Sequence, residues 1–414
     1  MQIFALGILV VQLADREGRP ELAPFYLGLI GLARAVPGLA FTLIAGAVAD
    51  RVDRRRLLLI TQSTMAVNAA VLALVTFLGM ASLWNVVLAA LIQSAAFAFD
   101  NPARQSMIAR VVPLPFLPSA IGLQSAAFNG ASIIGPLIAG VLFLPLGVAG
   151  LLGVNAISFA TIIGALLTMR PIPPSAARPG HSLAASVIEG ARYIRGKPAM
   201  VWILAVAGTV FAAAGPANAL LPAIAGETLW NGMSWLALLL TAMGLGAFTA
   251  SFVTMNVGRV RWPGRVFVFA ALANGVTLIV FALSAHPIVA LGFCYLSGFS
   301  GTLVAGMGNN MLQASTADAY RGRVMSVWAI LFIGLMPVGQ LTLGTIGSLL
   351  GIHAALVVGG AVTLGAGAYG ALRVDAVREW RTPVRPHAEP EQMVGESVGL
   401  VTPSVAIGQA TSLK

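Results

Sequence analysis

The sequence carries very little charge for its length. Only 9% of its 414 residues are charged, whereas a soluble domain has about 25%. A chain so poor in charged side chains cannot cover a surface that faces water, which excludes an ordinary soluble globular fold. Because 58% of the residues are hydrophobic and the mean hydropathy is +0.90, we expect lipid to surround the protein.

Cysteine is nearly absent, and the sequence motifs of common enzymes are missing. The single cysteine, Cys294, lies in an apolar stretch, which excludes a disulfide framework and a cysteine-based metal site. The chain has no phosphate-binding loop of an ATP-driven pump, no His-Glu-x-x-His and no Gly-x-Ser-x-Gly. We therefore predict that the protein is not an enzyme and that it holds no cofactor or metal.

Long apolar stretches divide the chain into segments of membrane-spanning length. About 20 apolar residues in a helix cross the roughly 30 Å hydrocarbon core of a bilayer. The first predicted span is shorter than this, and we expect an abbreviated first helix. The sequence thus predicts an all-α integral membrane protein with twelve transmembrane helices at 1–13, 25–49, 57–79, 84–110, 120–144, 150–169, 198–222, 234–256, 265–284, 287–313, 324–350 and 352–373.

Basic residues are strongly biased toward one side of these predicted spans. If the loop at 50–56 is cytoplasmic, 21 of the 24 Lys and Arg residues fall in cytoplasmic segments, two fall outside, and Arg34 lies within a span. This asymmetry is typical of membrane topology, so the net charge of +10 does not indicate nucleic-acid binding. We predict that both termini are cytoplasmic, in the inner membrane of a bacterial cell.

The predicted spans fall into two related halves. The Phe, Gly, Gly, Leu, Gly and Gly of segment 128–147 recur 204 positions later, and Ala-Phe-Thr at 40–42 recurs 207 positions later. Internal repeats of this kind are common in secondary transporters. We predict a six-helix bundle at 1–169, a cytoplasmic loop with an amphipathic helix at 170–197, a second six-helix bundle at 198–373, and a disordered cytoplasmic tail at 374–414.

The most specific motif lies between the second and third spans. Residues 46–56 read Gly-Ala-Val-Ala-Asp-Arg-Val-Asp-Arg-Arg-Arg. This segment resembles the loop signature of the major facilitator superfamily, although that family usually has Gly where this chain has Asp53. A carboxylate at the membrane edge needs a basic partner or a helix N-terminus. The resemblance therefore implies that this loop is a conformational latch, in which Asp50 docks on the eleventh span. The latch residues are Gly46, Asp50, Arg51, Arg54 and Arg55.

Two further patterns resemble the exporters of this superfamily. Gly130, Gly135-Pro136 and Gly140 in the fifth span are similar to the Gly-Pro antiporter motif, although ordinary helix packing explains them almost as well. The segments at 100–105, 189–193 and 321–326 look like the exporter group that includes the enterobactin exporter and the macrolide efflux proteins.

Two charges are predicted to lie deep in the membrane. Charges at such depth are functional candidates by default. Asp100 is the only carboxylate clearly inside a span, so we expect it to carry the coupling proton, with Arg34 or Arg104 as its partner. A purely structural ion pair is the alternative. Amides from the fourth, seventh and tenth spans are candidates for a substrate cavity, or for plain interhelical hydrogen bonding: Gln93, Asn101, Gln105, Asn218, Asn309, Asn310 and Gln313.

Together these features predict a secondary active transporter. We expect a monomer in the lipid bilayer that exports a small amphipathic organic molecule, such as a drug, siderophore or metabolite, by proton antiport and alternating access. One alternative is a solute importer on the same fold. The other is a membrane receptor or assembly subunit that does not transport.

Overall fold

The fold was analysed in a computed structural model, which describes residues 2–169, 183–227, 233–255, 262–284, 286–373 and 380. Helices make up the regular structure of these residues. In chain order they are α1 (Gln2–Arg16), α2 (Ala23–Arg51), α3 (Arg54–Phe77), α4 (Leu83–Val111), α5 (Leu117–Thr168), α6 (Leu183–Arg195), α7 (Pro198–Thr209), α8 (Ala217–Glu227), α9 (Met233–Met255), α10 (Pro263–Leu283), α11 (Pro287–Ala314), α12 (Asp318–Leu350) and α13 (Ile352–Arg373).

The helices account for all twelve predicted spans. Ten segments of the described chain are long and apolar enough to cross a bilayer. The α1 helix has 15 residues and is the abbreviated first span. The α5 segment of 52 residues holds two predicted spans, because Gly147 within it has a left-handed φ of 63° and breaks the helix. The predicted all-α membrane fold is confirmed.

The predicted span at 198–222 is interrupted near its middle. A short π-helical turn (Val210–Ala214) joins α7 to α8, and the amide of Gly215 donates to the carbonyl of Val210 at 2.8 Å. Pro216 follows and has no N–H to continue the helical pattern. The seventh span is therefore built from α7, the π turn and α8, which extends it to Glu227.

Packing among the helices repeats between the two parts of the chain. Before α6, α2 packs on α4, and α3 packs on α4 and α5. After α6, α9 packs on α11, and α10 packs on α11 and α13 in the same arrangement. Asn68 of α3 donates to the carbonyl of Ala89 on α4 at 2.9 Å, and Asn274 of α10 donates to Ser300 on α11 at 2.9 Å. In both halves, an asparagine side chain thus donates a hydrogen bond that joins the two corresponding helices.

Small residues bring the two parts together at the end opposite the basic loops. A Cβ on Gly344 of α12 would lie 2.4 Å from the carbonyl oxygen of Pro24, at the start of α2. A Cβ on Gly140 of α5 would lie 2.3 Å from the Cβ of Ala237, at the start of α9. Glycine permits such close approach. We call these contacts of α2 with α12 and of α5 with α9 the outer seam, after the side that the sequence predicts to lie outside the cell.

Candidate functional site

The carboxylate of Asp100 is fully enclosed between α3 and α4. Its side chain is 0% exposed. The hydroxyl of Thr61 donates to Oδ1 at 3.0 Å and the amide of Gln62 donates to the same oxygen at 2.7 Å. Arg104 pairs with the other oxygen, Oδ2. Every part of the carboxylate therefore has a donor, as a buried charge requires.

Local sequence explains how these groups meet. Asp100 and Arg104 are four residues apart and therefore lie on one face of α4. Thr61 and Gln62 project from α3, which packs against α4. Pro102 lies between the two charges and cannot donate to the carbonyl one turn earlier, so the backbone of α4 is weakened beside the carboxylate. Of the two expected partners, Arg104 holds Asp100, and Arg34 does not.

The helix of the second half that corresponds to α4, which is α11, contains no charged residue. Met307 and Met311 of α11 lie 207 positions after Asp100 and Arg104, and Phe267 of α10 lies 206 positions after Thr61. All three are 0% exposed and belong to one hydrophobic cluster. Apolar side chains can replace a buried ion pair without loss of stability. The corresponding pair of α10 and α11 therefore packs without a buried charge at these positions.

The basic loop anchors the start of α3. Asp53, the departure from the superfamily signature, accepts a hydrogen bond from the amide of Arg56 at 3.0 Å and caps the helix. Arg54 is buried and donates to Ser106 of α4 at 2.9 Å. Arg55 donates to the carbonyls of Leu166 and Leu167, near the end of α5, at 2.7 and 2.8 Å.

The described part of the loop thus ties α3 to α4 and to the end of α5. The side chains of the other latch residues, Gly46, Asp50 and Arg51, lie outside the described residues, so the docking of Asp50 stays a prediction.

Two of the predicted cavity residues line an open cavity between α9, α11 and α12. Asn309 and Asn310 form its polar wall, and the cavity has a volume of about 540 Å³. Asn310 donates to the carbonyl of Thr254 at 3.4 Å, and Gln313 donates to Asn309 at 2.5 Å. Trp328 and Phe332 complete the wall. Sequence reasoning missed these two aromatics, because aromatic residues in an apolar span look like ordinary core.

The remaining predicted amides lie elsewhere. Gln93 accepts from Asn68 at 3.4 Å and joins α4 to α3. Gln105 donates to Asn101 at 3.3 Å on the exposed side of α4. Asn218 is exposed on α8. None of these four side chains lines the cavity of Asn309 and Asn310.

The residues of the Gly-Pro pattern have different surroundings. Gly130 faces open space, and Gly140 is part of the outer seam. Gly135 and Pro136 lie within α5. Of Gly130 and Gly140, Gly140 shows the close helix contact that the pattern leads one to expect.

Two motifs that are far apart in the sequence meet at the basic end. Glu189 of α6 pairs with Arg323 of α12 at 2.9 Å, and the ring of Tyr193 stacks on Tyr320 with centroids 4.5 Å apart. A Cβ on Gly190 would lie 2.3 Å from the carbonyl oxygen of Arg323. The α6 helix, which lies where the amphipathic helix was predicted, is thereby bound to the start of α12.

A lysine helps to fix the position of Tyr193 in this contact. The Nζ of Lys197 donates to the Tyr193 hydroxyl at 2.6 Å. This hydrogen bond, together with one from the amide of Ala317, lowers the pKa of Tyr193 below its ordinary value.

Comparison with known proteins identifies the family. A family model described as transmembrane secretion effector, within the major facilitator superfamily, matches residues 21–404. The chain belongs to this family. It is similar to the multidrug efflux pump Tap of Mycolicibacterium fortuitum, at 28% identity over 340 residues that cover 79% of this chain and 81% of Tap. It is also similar to the enterobactin exporter EntS of Shigella boydii serotype 4, at 24% identity over 325 residues that cover 78% and 77%.

Solved structures support the same fold. The peptide transporter POT in complex with sulfate gives a TM-score of 0.69 at 13% identity, covering 92% of this chain and 93% of POT. A bacterial homolog of the human lysosomal transporter Spinster, inward-facing and unoccupied, gives 0.64 at 17% identity, covering 91% and 95%. At such low identity these likenesses concern the fold alone. This member of the major facilitator superfamily is a multi-pass membrane transporter of the exporter type and not an enzyme.

Proposed function

We propose that this transporter exports a small amphipathic organic molecule in exchange for protons, and that Asp100 carries the proton. The observation that carries the proposal is the difference between the halves. The first half encloses an ion pair of Asp100 with Arg104, whereas the second half fills the equivalent positions with apolar side chains. A charge kept where packing does not need it is a functional candidate.

The contacts of Asp100 suit a carboxylate that gains and loses a proton. The hydroxyl of Thr61 lies 3.0 Å from Asp100 Oδ1 and 3.1 Å from the carbonyl of Leu58. When Asp100 is ionised, the Thr61 hydroxyl donates to it. When Asp100 is protonated, Thr61 accepts its proton and donates to Leu58 instead, because a hydroxyl can do both. Neither charge state leaves the hydroxyl unsatisfied.

Antiport also requires a substrate-binding site, and the cavity in the second half is the candidate. The cavity of Asn309 and Asn310, walled by Trp328 and Phe332, offers amide groups beside aromatic faces. Such a wall suits a molecule with both polar and apolar parts. The relatives named above are a multidrug efflux pump and a siderophore exporter, which agrees with export of an organic molecule. Antiport follows if protonation and substrate binding favour opposite states of one two-state equilibrium.

The proposal includes an orientation and an oligomeric state. The basic loops and both termini face the cytoplasm, because 21 of the 24 basic residues then lie on that side. The protein works as a monomer, with the two halves rocking about the site.

Dye transport into inside-out bacterial membrane vesicles tests the proposal. An acidic lumen should drive the dyes fluorescein or rhodamine 123 inward as protons leave. Asp100→Asn fixes a neutral side chain that still accepts from Thr61 and Gln62. It should abolish this accumulation and preserve exchange of preloaded dye. Asp15→Asn, which alters an exposed carboxylate, should behave like the wild type.

Two results would contradict the proposal. Accumulation by Asp100→Asn against the gradient would assign the proton to another group. Accumulation only in right-side-out vesicles would indicate an importer.

A further inference from the structure

Arg34 faces the interior of the bundle and not the lipid. On a helix with 3.6 residues per turn, residues 23, 27, 30, 34, 41 and 45 share one face of α2. Ala23, Leu27, Ile30 and Ala45 on this face are buried, whereas Val36 on the opposite face is 55% exposed. Ser94 of α4 donates to the backbone carbonyl of Arg34. The guanidinium therefore projects from the protein side of α2.

The side chain of Arg34 is nevertheless exposed and has no partner among the described residues. It makes no ion pair and no side-chain hydrogen bond with the described residues, although it lies on a face whose neighbours are buried. An exposed side chain on an inward face lines an internal space. The position is about 14 Å from the outer end of the predicted span, well within the hydrocarbon thickness.

The described protein offers no negative charge to balance Arg34. The one described carboxylate deep within a span is Asp100, and Arg104 already neutralises it. An arginine within the membrane is costly unless a counter-charge or water accompanies it. Arg34 is also always charged and presents several N–H donors that suit a carboxylate or a similar planar acid. An acidic group on a bound molecule would supply the missing counter-charge.

We propose that Arg34 is a substrate-binding residue and that the exported molecule carries an acidic group, which Arg34 receives. This inference rests on the export function proposed above and adds the charge of the substrate. The apolar part of the substrate lies against Trp328 and Phe332 in the other half, while its acidic group pairs with the first half. A molecule held by both halves biases their relative arrangement, as alternating access requires.

Two dyes with a common xanthene core and opposite charge provide the test. Fluorescein is anionic at neutral pH and rhodamine 123 is cationic. Their affinities for purified protein in a non-ionic detergent are measured by quenching of tryptophan fluorescence, and their uptake is measured in inside-out vesicles. Arg34→Gln should weaken fluorescein binding about tenfold or more, because a hydrogen bond to a charged group is lost, and leave rhodamine 123 unchanged.

Two variants control for charge and folding. Arg34→Lys keeps the positive charge and should retain most of the affinity for fluorescein. Arg16→Gln removes one exposed positive charge near the end of α1 and should change neither dye. Thermal unfolding of all variants shows whether Arg34→Gln remains folded. If it does not, the affinity of Arg34→Lys for fluorescein tests the inference instead.

The outcomes separate this inference from the export function. If the wild type moves both dyes and Arg34→Gln changes both affinities equally, or neither, the acidic-substrate inference is wrong and export stands. If an acidic lipid were the partner, Arg34→Gln would alter the melting temperature only in the presence of phosphatidylglycerol, and the dyes would again change alike. If the wild type moves neither dye, the proposed function fails and this inference fails with it.

Discussion

Replacing Gly344 with alanine should force the outer seam apart. The new Cβ would lie 2.4 Å from the carbonyl oxygen of Pro24, 3.2 Å from its carbonyl carbon and 3.3 Å from the Cα of Gly28. These are backbone atoms and cannot rotate away, so α2 and α12 must separate by about 1 Å to restore ordinary contact. Overpacking of this kind costs about 1–3 kcal/mol. The equilibrium should therefore shift about 5- to 150-fold toward the state with a separated seam.

Spin-label distances measure this shift. Labels at Leu78 after α3 and at Leu283 in α10 are exposed and report the separation of the halves at the seam end, in a Cys294→Ala background. Gly344→Ala should populate a longer distance. Gly334→Ala, on the same helix with nothing within 4 Å of its new Cβ, should match the parent protein. If the two variants give the same distance distribution, the seam does not control the equilibrium and the reasoning is refuted.

Two further substitutions test the contacts of α6 and of Asp100. Gly190→Ala places a Cβ 2.3 Å from the Arg323 carbonyl oxygen and should lower the melting temperature. Gly365→Ala, in open space on α13, should raise the melting temperature slightly. Equal shifts in the two variants would contradict the α6 contact. Thr61→Val removes a hydrogen-bond donor to Asp100 and should slow proton-driven dye uptake about tenfold. Thr61→Ser keeps the hydroxyl and should retain the wild-type rate of uptake. Equal uptake by the two variants would show that the hydroxyl is dispensable.

Properties that depend on local sequence were predictable. The spans follow from apolar length, because each helix must cross the same thickness of hydrocarbon. Helical spacing made Arg104 one of the two predicted partners of Asp100, since residues four apart are neighbours on one face, and the structure shows this pair. The break in α5 was predicted as a boundary between spans, and Gly147 supplies the left-handed backbone conformation that makes it.

Contacts between helices were not predictable in the same way. Thr61 and Gln62 reach Asp100 only because α3 and α4 pack in one register, and no spacing in a single sequence reveals that register. The partnership of Glu189 with Arg323 has the same origin. Both segments resemble those of exporters, and only the packing of α6 on α12 shows that they bind each other.

Some residues have a role in the structure that their residue type does not suggest. Asp53 looked like a departure from the superfamily signature, yet it caps α3, which a glycine cannot do with a side chain. Trp328 and Phe332 gave no signal in the sequence, because aromatic side chains in an apolar span usually belong to the core, as Trp328 also does. Both line the cavity because α12 turns them toward α9 and α11, and this orientation depends on tertiary packing.

The two halves share a fold and differ in chemistry, and the difference agrees with the antiport proposed above. In the first half, Asp100 is enclosed by Thr61, Gln62 and Arg104, and Arg34 has no partner among the described residues. In the second half, the positions equivalent to Asp100 are apolar, and amides and aromatic rings surround a cavity. Coupling needs a charged group whose neutralisation changes the energy of one state relative to the other, and the ion pair of Asp100 with Arg104 in the first half is such a candidate.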